Sequence, residues 1–312
     1  MIYVNGKLIS FDKKVENSNI DFISHAHSDH LSALKKSKSI IASNETIDLI
    51  NTITNKNFTS IEIPKWIKLL DAGHILGSKQ LVIYNEEEGK KIIYSGDYNM
   101  QKSLMCNPIE IEHADILIID STYYDPLIKF DNRLEVINKI KAWVKNNIKD
   151  NIIIFSAYAL GKAQELIKIL NEEDITPVVS KKICKINEVY KNHNFKLDYL
   201  SFYSDEFNSN IINDTFVGIV DNRSLFSLKQ ILKKFYKKNI LTAAATGFAK
   251  LIKFNTDMQF PLSDHADFWQ AIEYINLVNP KKILTYGNNE EIFAEYLKQK
   301  GYNASAFSKK KF

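Results

Sequence analysis

With 312 residues, 45% hydrophobic and 25% charged, the chain can form one large globular domain or two modest ones, with cores that need no staples. Its two cysteines, Cys106 and Cys184, are far apart and outside any CxxC pattern, which suggests neither a disulfide framework nor a cysteine zinc site and fits a reducing, intracellular setting. A net charge of +4, from 41 Lys plus Arg against 37 Asp plus Glu, does not by itself show a polyanionic partner. The absence of a charged leader before an apolar core, and of any apolar run of about 18 residues, argues against a membrane span and for a soluble cytoplasmic protein.

In chain order, short apolar runs at 2–4, 8–11 and 20–24 read as β-strands, the last running into a loop dense in histidine. A helical turn at 31–37, a strand at 39–42 and a helix at 44–54 capped by Ser43 or Asn44 follow, so strands and helices already alternate as in an α/β protein. Apolar runs at 66–70, 80–84 and 91–94 follow, and the polar turn 85–89 makes the last two an antiparallel hairpin. Loops 71–78 and 95–98 place His74 and Asp97 beside glycines that permit close backbone approach. A strand at 114–119 ends in Asp120-Ser121-Thr122-Tyr123.

From about residue 131 the pattern becomes regular: helices at 131–147, 161–171, 181–191 and 224–236 alternate with strands at 151–155, 176–179, 216–220 and 239–243. Such βαβ units predict a parallel sheet and an inserted second domain at 132–240, leaving 1–131 and 241–312 for the first. The chain closes with Leu262-Ser263-Asp264-His265-Ala266-Asp267, a helix near 268–278, a strand at 282–284 and a helix at 290–300. Lysine pairs at 35–36, 181–182, 233–234 and 237–238 and the tail 309–311 are basic spots able to touch phosphates. Solvated faces are the ordinary reading for most of them.

His25-Ala26-His27-Ser28-Asp29-His30 concentrates ligands. Two positions apart in extended chain, His25 and His27 project to one side, while Asp29 and His30 follow a turn toward a second point. With His74 as a third imidazole and Asp97 offering two oxygens, the residues can build two metal positions, about 3.5–4 Å apart, bridged by Asp97. Five of the seven histidines, including His265, fall at strand ends bearing Gly, Ser or Asp; His113 and His193 have no such context.

The six residues 25–30 resemble the HxHxDH signature of the metallo-β-lactamase fold, and His74 and Ser95-Gly96-Asp97 match its later motifs. Asp12 corresponds to the early aspartate that braces the histidine loop there. Residues 119–123, 155–165 (Phe-Ser-Ala-Tyr-Ala-Leu-Gly-Lys-Ala-Gln-Glu) and 262–267 are similar to further motifs of the β-CASP nucleases. That group includes messenger-RNA 3′-end processing endonucleases and DNA-repair nucleases. Segments 72–78, 95–98 and 246–249 also resemble the bacterial DNA-ligase-associated exonucleases and their archaeal relatives.

The resemblance implies an α/β, metallo-β-lactamase αββα sandwich with an inserted, reduced β-CASP-like α/β domain. It implies two divalent metal ions, zinc or manganese. His25, His27, His74 and Asp97 would hold one; Asp29, His30 and Asp97 would hold the other. Hydroxide would attack phosphorus, and His265, oriented by Asp120, would protonate the leaving oxygen; Asp29 stands with these as a catalytic candidate. Ser121, Thr122, Lys162 and Tyr286 are candidate substrate contacts. Tyr123, Tyr158 or Phe248 would stack on bases of a single strand, with core packing as their ordinary alternative.

Two departures stand out. Many members carry a histidine before the last glycine, as a further ligand of the second metal, where this chain has Tyr286-Gly287. A phenol with ordinary pKa of about 10 is a poor replacement, so a weaker, exchangeable or water-completed second site is expected. Asp120 stands where the RNA-processing branch carries glutamate, and the DNA-repair branch uses aspartate and lacks the last histidine. The expected activity is therefore an exonuclease on single-stranded DNA or RNA, with a lean to DNA, alongside repair or RNA-processing factors and no membrane. The alternatives are an RNA 3′-end processing endo- or exonuclease, a thioesterase- or lactonase-type hydrolase, and a nucleic-acid-binding protein with weakened catalysis.

Overall fold

The computed structural model describes residues 1–35, 37, 39–204 and 215–308; Lys36 and the tail lysines 309–311 of the expected basic spots lie outside the described residues. Two compact units divide the chain, Met1–Lys129 with His265–Phe312, and Phe130–Asp264. Among the described residues no helix is long and apolar enough to cross a membrane.

In the first unit, β1 (Ile2–Val4), β2 (Lys7–Phe11), β3 (Ile20–Phe22) and β4 (Ile40–Ile41) form a four-stranded sheet in that order. A six-stranded sheet holds β5 (Ile67–Asp71), β6 (Lys79–Asn85), β7 (Lys90–Tyr94), β8 (Ile116–Asp120), β15 (Lys282–Tyr286) and β16 (Ala304–Ala306), in the order β16-β15-β8-β7-β6-β5. The expected hairpin is β6–β7, with Leu81 opposite Tyr94 and Asn85 opposite Lys90.

Alternation along the strands explains the layering. Leu81, Ile83, Ile92, Tyr94 and Ile118 share a buried cluster with Ile9, Phe11 and Phe22 of the four-stranded sheet. The intervening Val82, Ile93, Leu117 and Ile119 cluster on the opposite face, because successive side chains point to opposite sides of a sheet. There they meet Phe268, Tyr274 and Ile275 of α6 (Phe268–Val278) and Phe293 and Leu297 of α7 (Glu290–Gln299). A sheet buried on both faces needs helices on one side and a second sheet on the other, as the αββα expectation required. Burial of each such aliphatic or aromatic side chain contributes about 1.5–3 kcal/mol.

Helix starts agree with the sequence. The Ser43 hydroxyl accepts from Thr46 N at 3.1 Å and begins α1 (Asn44–Thr54). Asp267 begins α6 through a reciprocal capping box, accepting from Gln270 N at 2.9 Å while Gln270 Oε1 accepts from Asp267 N at 3.2 Å. That box fixes the turn just after His265.

The second unit is a parallel sheet of β9 (Asn151–Ser156), β10 (Val178–Val179), β11 (Leu200–Ser201), β12 (Val217–Val220), β13 (Asn239–Ala245) and β14 (Met258–Phe260), ordered β11-β10-β12-β9-β13-β14. Helices α2 (Arg133–Asn147), α3 (Lys162–Asn171), α4 (Lys181–Asn192) and α5 (Leu225–Phe235) lie between its strands in the chain. The unit runs on to Asp264, past the expected boundary at 240, because β13 pairs along β9 and β14 along β13. With only three residues, β14 is too short to show an alternating pattern in the sequence.

Inside this unit Arg133 donates to Glu165 Oε1 at 2.9 Å, to Asp264 Oδ1 at 3.0 Å and to the Ser263 carbonyl. Lys162 Nζ donates to Asp264 Oδ1 at 2.6 Å. Lys162, a candidate substrate contact from the sequence, is 2% exposed here. Its ammonium group serves the Asp264 and Glu165 carboxylates, since a charge at this depth must be paired. It is thus a structural ion in this conformation.

Candidate metal centre

The histidine loop leaves β3, which is held between β2 and β4 by parallel pairing. A second anchor is Asp12, whose φ of +56° turns the chain at the end of β2. The Asp12 carboxylate accepts from Ser24 N at 2.7 Å, Ser24 Oγ at 2.8 Å, Tyr94 Oη at 2.7 Å and His30 Nδ1 at 2.9 Å. Four donors converge on one buried carboxylate, so it is braced from two sheets and the loop together.

These bonds also select tautomers. Ser24 gives its one hydroxyl hydrogen to Asp12, so at 2.9 Å it accepts from Nδ1–H of His25, leaving Nε2 of His25 with its lone pair. The neighbouring loop fits because residue 96 is glycine: its φ is +55°, and a Cβ there would sit 2.7 Å from Ser24 Cβ. Sequence reading found Asp12 but missed Ser24 and Tyr94. Tyr94 sits in an ordinary alternating strand, and only the second sheet shows its hydroxyl a partner.

Three imidazole nitrogens and one carboxylate oxygen meet at the loop ends. His27 Nδ1 lies 3.1 Å from His25 Nε2 and 3.1 Å from His74 Nε2. Asp97 Oδ2 lies 3.7 Å from His25 Nε2 and 3.9 Å from His74 Nε2. A tetrahedral ion with bonds of about 2.1 Å requires ligand separations of about 3.4 Å, and these distances bracket that value. A single ring nitrogen cannot satisfy two imidazole neighbours by sharing one hydrogen; a cation on all the lone pairs can. The donor set therefore fits zinc or a similar divalent ion.

Asp97 Oδ2 also lies 3.4 Å from His30 Nε2 and 3.9 Å from His265 Nδ1. Burial favours neutral His30, but Asp97 and Asp12 outweigh it and push its pKa up to about 12. Burial likewise opposes charge on Asp97, yet His30, His25 and His265 hold its carboxyl well below the usual range. The centre is thus poised as a negative carboxylate ringed by imidazoles.

A second tight grouping joins Asp97, Asp120 and His265, with His265 Nδ1 3.8 Å from Asp120 Oδ2. Asp120 is held by Ser95 Oγ, which accepts from its backbone N at 3.1 Å, and by Thr122, which donates to Oδ1 from N at 3.1 Å and from Oγ1 at 2.9 Å. Burial, and then the Asp97 charge, raise the Asp120 pKa.

Asp29 and His30 stand outside both tight groupings among the described residues. The Asp29 side chain is 78% exposed, with Oδ2 3.6 Å from His30 Nε2, so it sits at the rim as the turn Ser28–His30 swings outward. Tyr286 donates to the Phe11 carbonyl at 3.1 Å. Burial, then Asp12 and Asp97, push its phenol far above the ordinary value, which keeps it neutral and unsuited to replace an imidazole ligand. Ser121 is buried and donates to Tyr286 O at 2.8 Å, and Thr122 serves Asp120. Both candidate substrate contacts therefore brace the site in this conformation. Tyr123 is buried with its ring 5.7 Å from that of His265, following the core alternative, whereas Tyr158 and Phe248 are exposed.

Asp12→Ala is expected to destabilise the chain by about 3–5 kcal/mol, because it removes the partner of a buried charged pair, and to weaken zinc binding about 10–100-fold. Urea unfolding and titration against a chromophoric chelator measure the two effects.

No family model matches the chain. It is 26% identical over 297 residues to a "Probable DNA ligase" of Opitutus terrae, covering 91% of this chain and 28% of that protein. It is 34% identical over 194 residues to an "RNase J-like protein" of Methanocaldococcus jannaschii, covering 51% and 45%. It is 21% identical over 313 residues to the "DNA cross-link repair protein SNM1" of Arabidopsis thaliana, covering 88% and 62%. The chain thus spans less than two thirds of the length of each of these relatives. A solved structure, a protein of unknown function from Enterococcus faecalis, aligns with TM-score 0.59 at 14% identity over 87% of this chain and 76% of that one, a likeness of fold alone.

Proposed function

We propose that this chain, a member of the metallo-β-lactamase/β-CASP nuclease family, hydrolyses phosphodiester bonds of nucleic acid with a divalent metal, as an exonuclease on single strands with a lean to DNA. The observation that carries the reading is the convergence of His25, His27, His74 and Asp97 with the Asp120–His265 pair on the same Asp97 oxygen. A metal loop alone would also suit a thioesterase or lactonase. An imidazole set against a half-buried carboxylate beside it supplies the proton that a departing alkoxide needs.

When bound, a zinc or manganese ion supplies Lewis acidity toward a phosphoryl oxygen and hydroxide at neutral pH. His25, His27, His74 and Asp97 would hold that ion, and the Asp12–Ser24 relay keeps the His25 lone pair aimed at it. Asp29, Asp97 and His30, once His30 gives up the Nε2 proton that it holds toward Asp97, would hold a second ion, weakly, since Tyr286 is spent on Phe11. His265, oriented by Asp120, delivers its proton to the leaving oxygen. The lean to DNA rests on Asp120 and on Tyr286 in place of a histidine.

The test is a parallel digestion of 5′- and 3′-labelled DNA and RNA of one sequence by protein stripped with chelator and restored with zinc or manganese. Shortening only in the restored samples, faster on DNA, is expected. No cleavage of any polymer with either metal, together with turnover of a thioester or lactone, would overturn the reading.

A further inference from the structure

Between residues 222 and 256 the chain carries eight Lys and Arg and no Asp or Glu, against a net charge of +4 for the whole. Helix α5 lies in this stretch. Its inner side, Leu225, Leu228 and Leu232, clusters with Ile152, Ile154 and Ile240 of the second unit. Its other large apolar side chains do not follow them inward: Phe226 is 70%, Ile231 51% and Phe235 77% exposed. Lys233 and Lys234 stand exposed between the two phenylalanines. At 100° per residue Phe226 and Lys233 share one side, and Ile231 neighbours both Lys234 and Phe235. The two rings are about 13 Å apart along the axis at ~1.5 Å per residue and half a turn apart around it, so they flank the outer arc of Gln230, Lys234 and Ile231 from its two edges.

We propose that the outer face of α5 binds single-stranded nucleic acid, with Lys233 and Lys234 on phosphates and Phe226 and Phe235 stacking on bases. It rests on the reading of the substrate as nucleic acid and adds a second contact surface to it. The chemistry selects this occupant over others. A helix lying in a bilayer turns one continuous apolar face outward, whereas the apolar stripe of α5 faces its own sheet and the outer face interleaves rings with lysines and Gln230. A single strand presents that same alternation, a π-face and a negative charge at every nucleotide. Lys229 and Lys250 of this stretch pair with Asp257 and Asp131, so the charge complementarity to a polyanion is centred on the exposed Lys233 and Lys234.

The experiment measures binding of fluorescein-labelled oligo-dT and oligo-rU to the full chain in chelator, where cleavage is silent, by anisotropy across a salt series. The Lys233→Ala/Lys234→Ala variant is expected to lower the slope of log K against log salt by about 1.4, two phosphates at ~0.7 each. Phe226→Ala/Phe235→Ala is expected to weaken binding about tenfold or more with the slope unchanged. All four side chains are exposed, and unchanged thermal melting confirms folding. Parental affinity and slope in both variants would overturn the proposal, as would loss of binding to phosphatidylserine vesicles with oligonucleotide binding intact. If the metal-loaded parent cuts oligonucleotides while the variants bind like the parent, this inference alone fails; if the parent neither binds nor cuts them, the nuclease reading fails with it.

Discussion

Replacement of His27 by alanine is expected to reduce oligonucleotide cleavage about 10³-fold or more while leaving the fold intact. His27 Nδ1 is the common neighbour of His25 Nε2 and His74 Nε2, 3.1 Å from each, so its loss opens the centre of the ligand set. Several kcal/mol of charge stabilisation at the phosphoryl group depend on that set, and each 1.36 kcal/mol is a factor of ten in rate. His25 is a poorer choice for the experiment. It is fully buried and bonded to Ser24, so its removal mixes metal loss with unfolding, whereas His27 is partly exposed. Bound zinc measured by atomic emission, cleavage rate and urea midpoint, taken on one preparation, separate the two. A His27→Ala protein with parental activity would sink the metal-centre account.

His265→Ala is expected to lower kcat on oligonucleotides by about 10²–10⁴-fold, the range for loss of a positioned acid or base, with little change in KM. The diagnostic is the leaving group. A nucleoside p-nitrophenyl phosphodiester releases a phenolate that departs without a proton, so its hydrolysis should fall far less than that of an oligonucleotide. Asp120→Asn should show the same selectivity, more weakly, because Asn keeps the bonds from Thr122 but not the negative charge beside His265. Equal losses on both substrates would assign His265 to holding the site together instead.

How far the sequence reveals this site depends on the range of the interactions. His25 and His27 are legible because they share one short loop, and His74 and Asp97 because each accompanies a glycine at a strand end. The sandwich follows from alternation such as Leu81-Val82-Ile83, whose members divide between two cores. What is not legible is which long-range partner a polar side chain finds. Tyr94 reads as one more strand aromatic until the opposite sheet brings Asp12 to its hydroxyl, 82 positions away. Lys162 reads as a substrate contact through the resemblance of residues 155–165 to a nuclease motif; Asp264, 102 positions on, draws it into the interior. Ser121 and Thr122 read as substrate contacts through the resemblance of residues 119–123, and their hydroxyls turn inward to Tyr286 and Asp120. The second unit's boundary moved from 240 to 264 because pairing along β9 and β13, rather than helix periodicity, decides where a parallel sheet ends.

The most direct measurement titrates zinc or manganese into metal-stripped protein and follows bound metal and oligonucleotide cleavage in the same samples. Cleavage should rise in proportion to the first equivalent bound and be absent without it, and the His27→Ala chain should neither bind that equivalent nor cut. Cleavage by stripped protein, or a filled first site with every DNA and RNA substrate left whole, would contradict a metal-dependent nuclease built on His25, His27, His74 and Asp97.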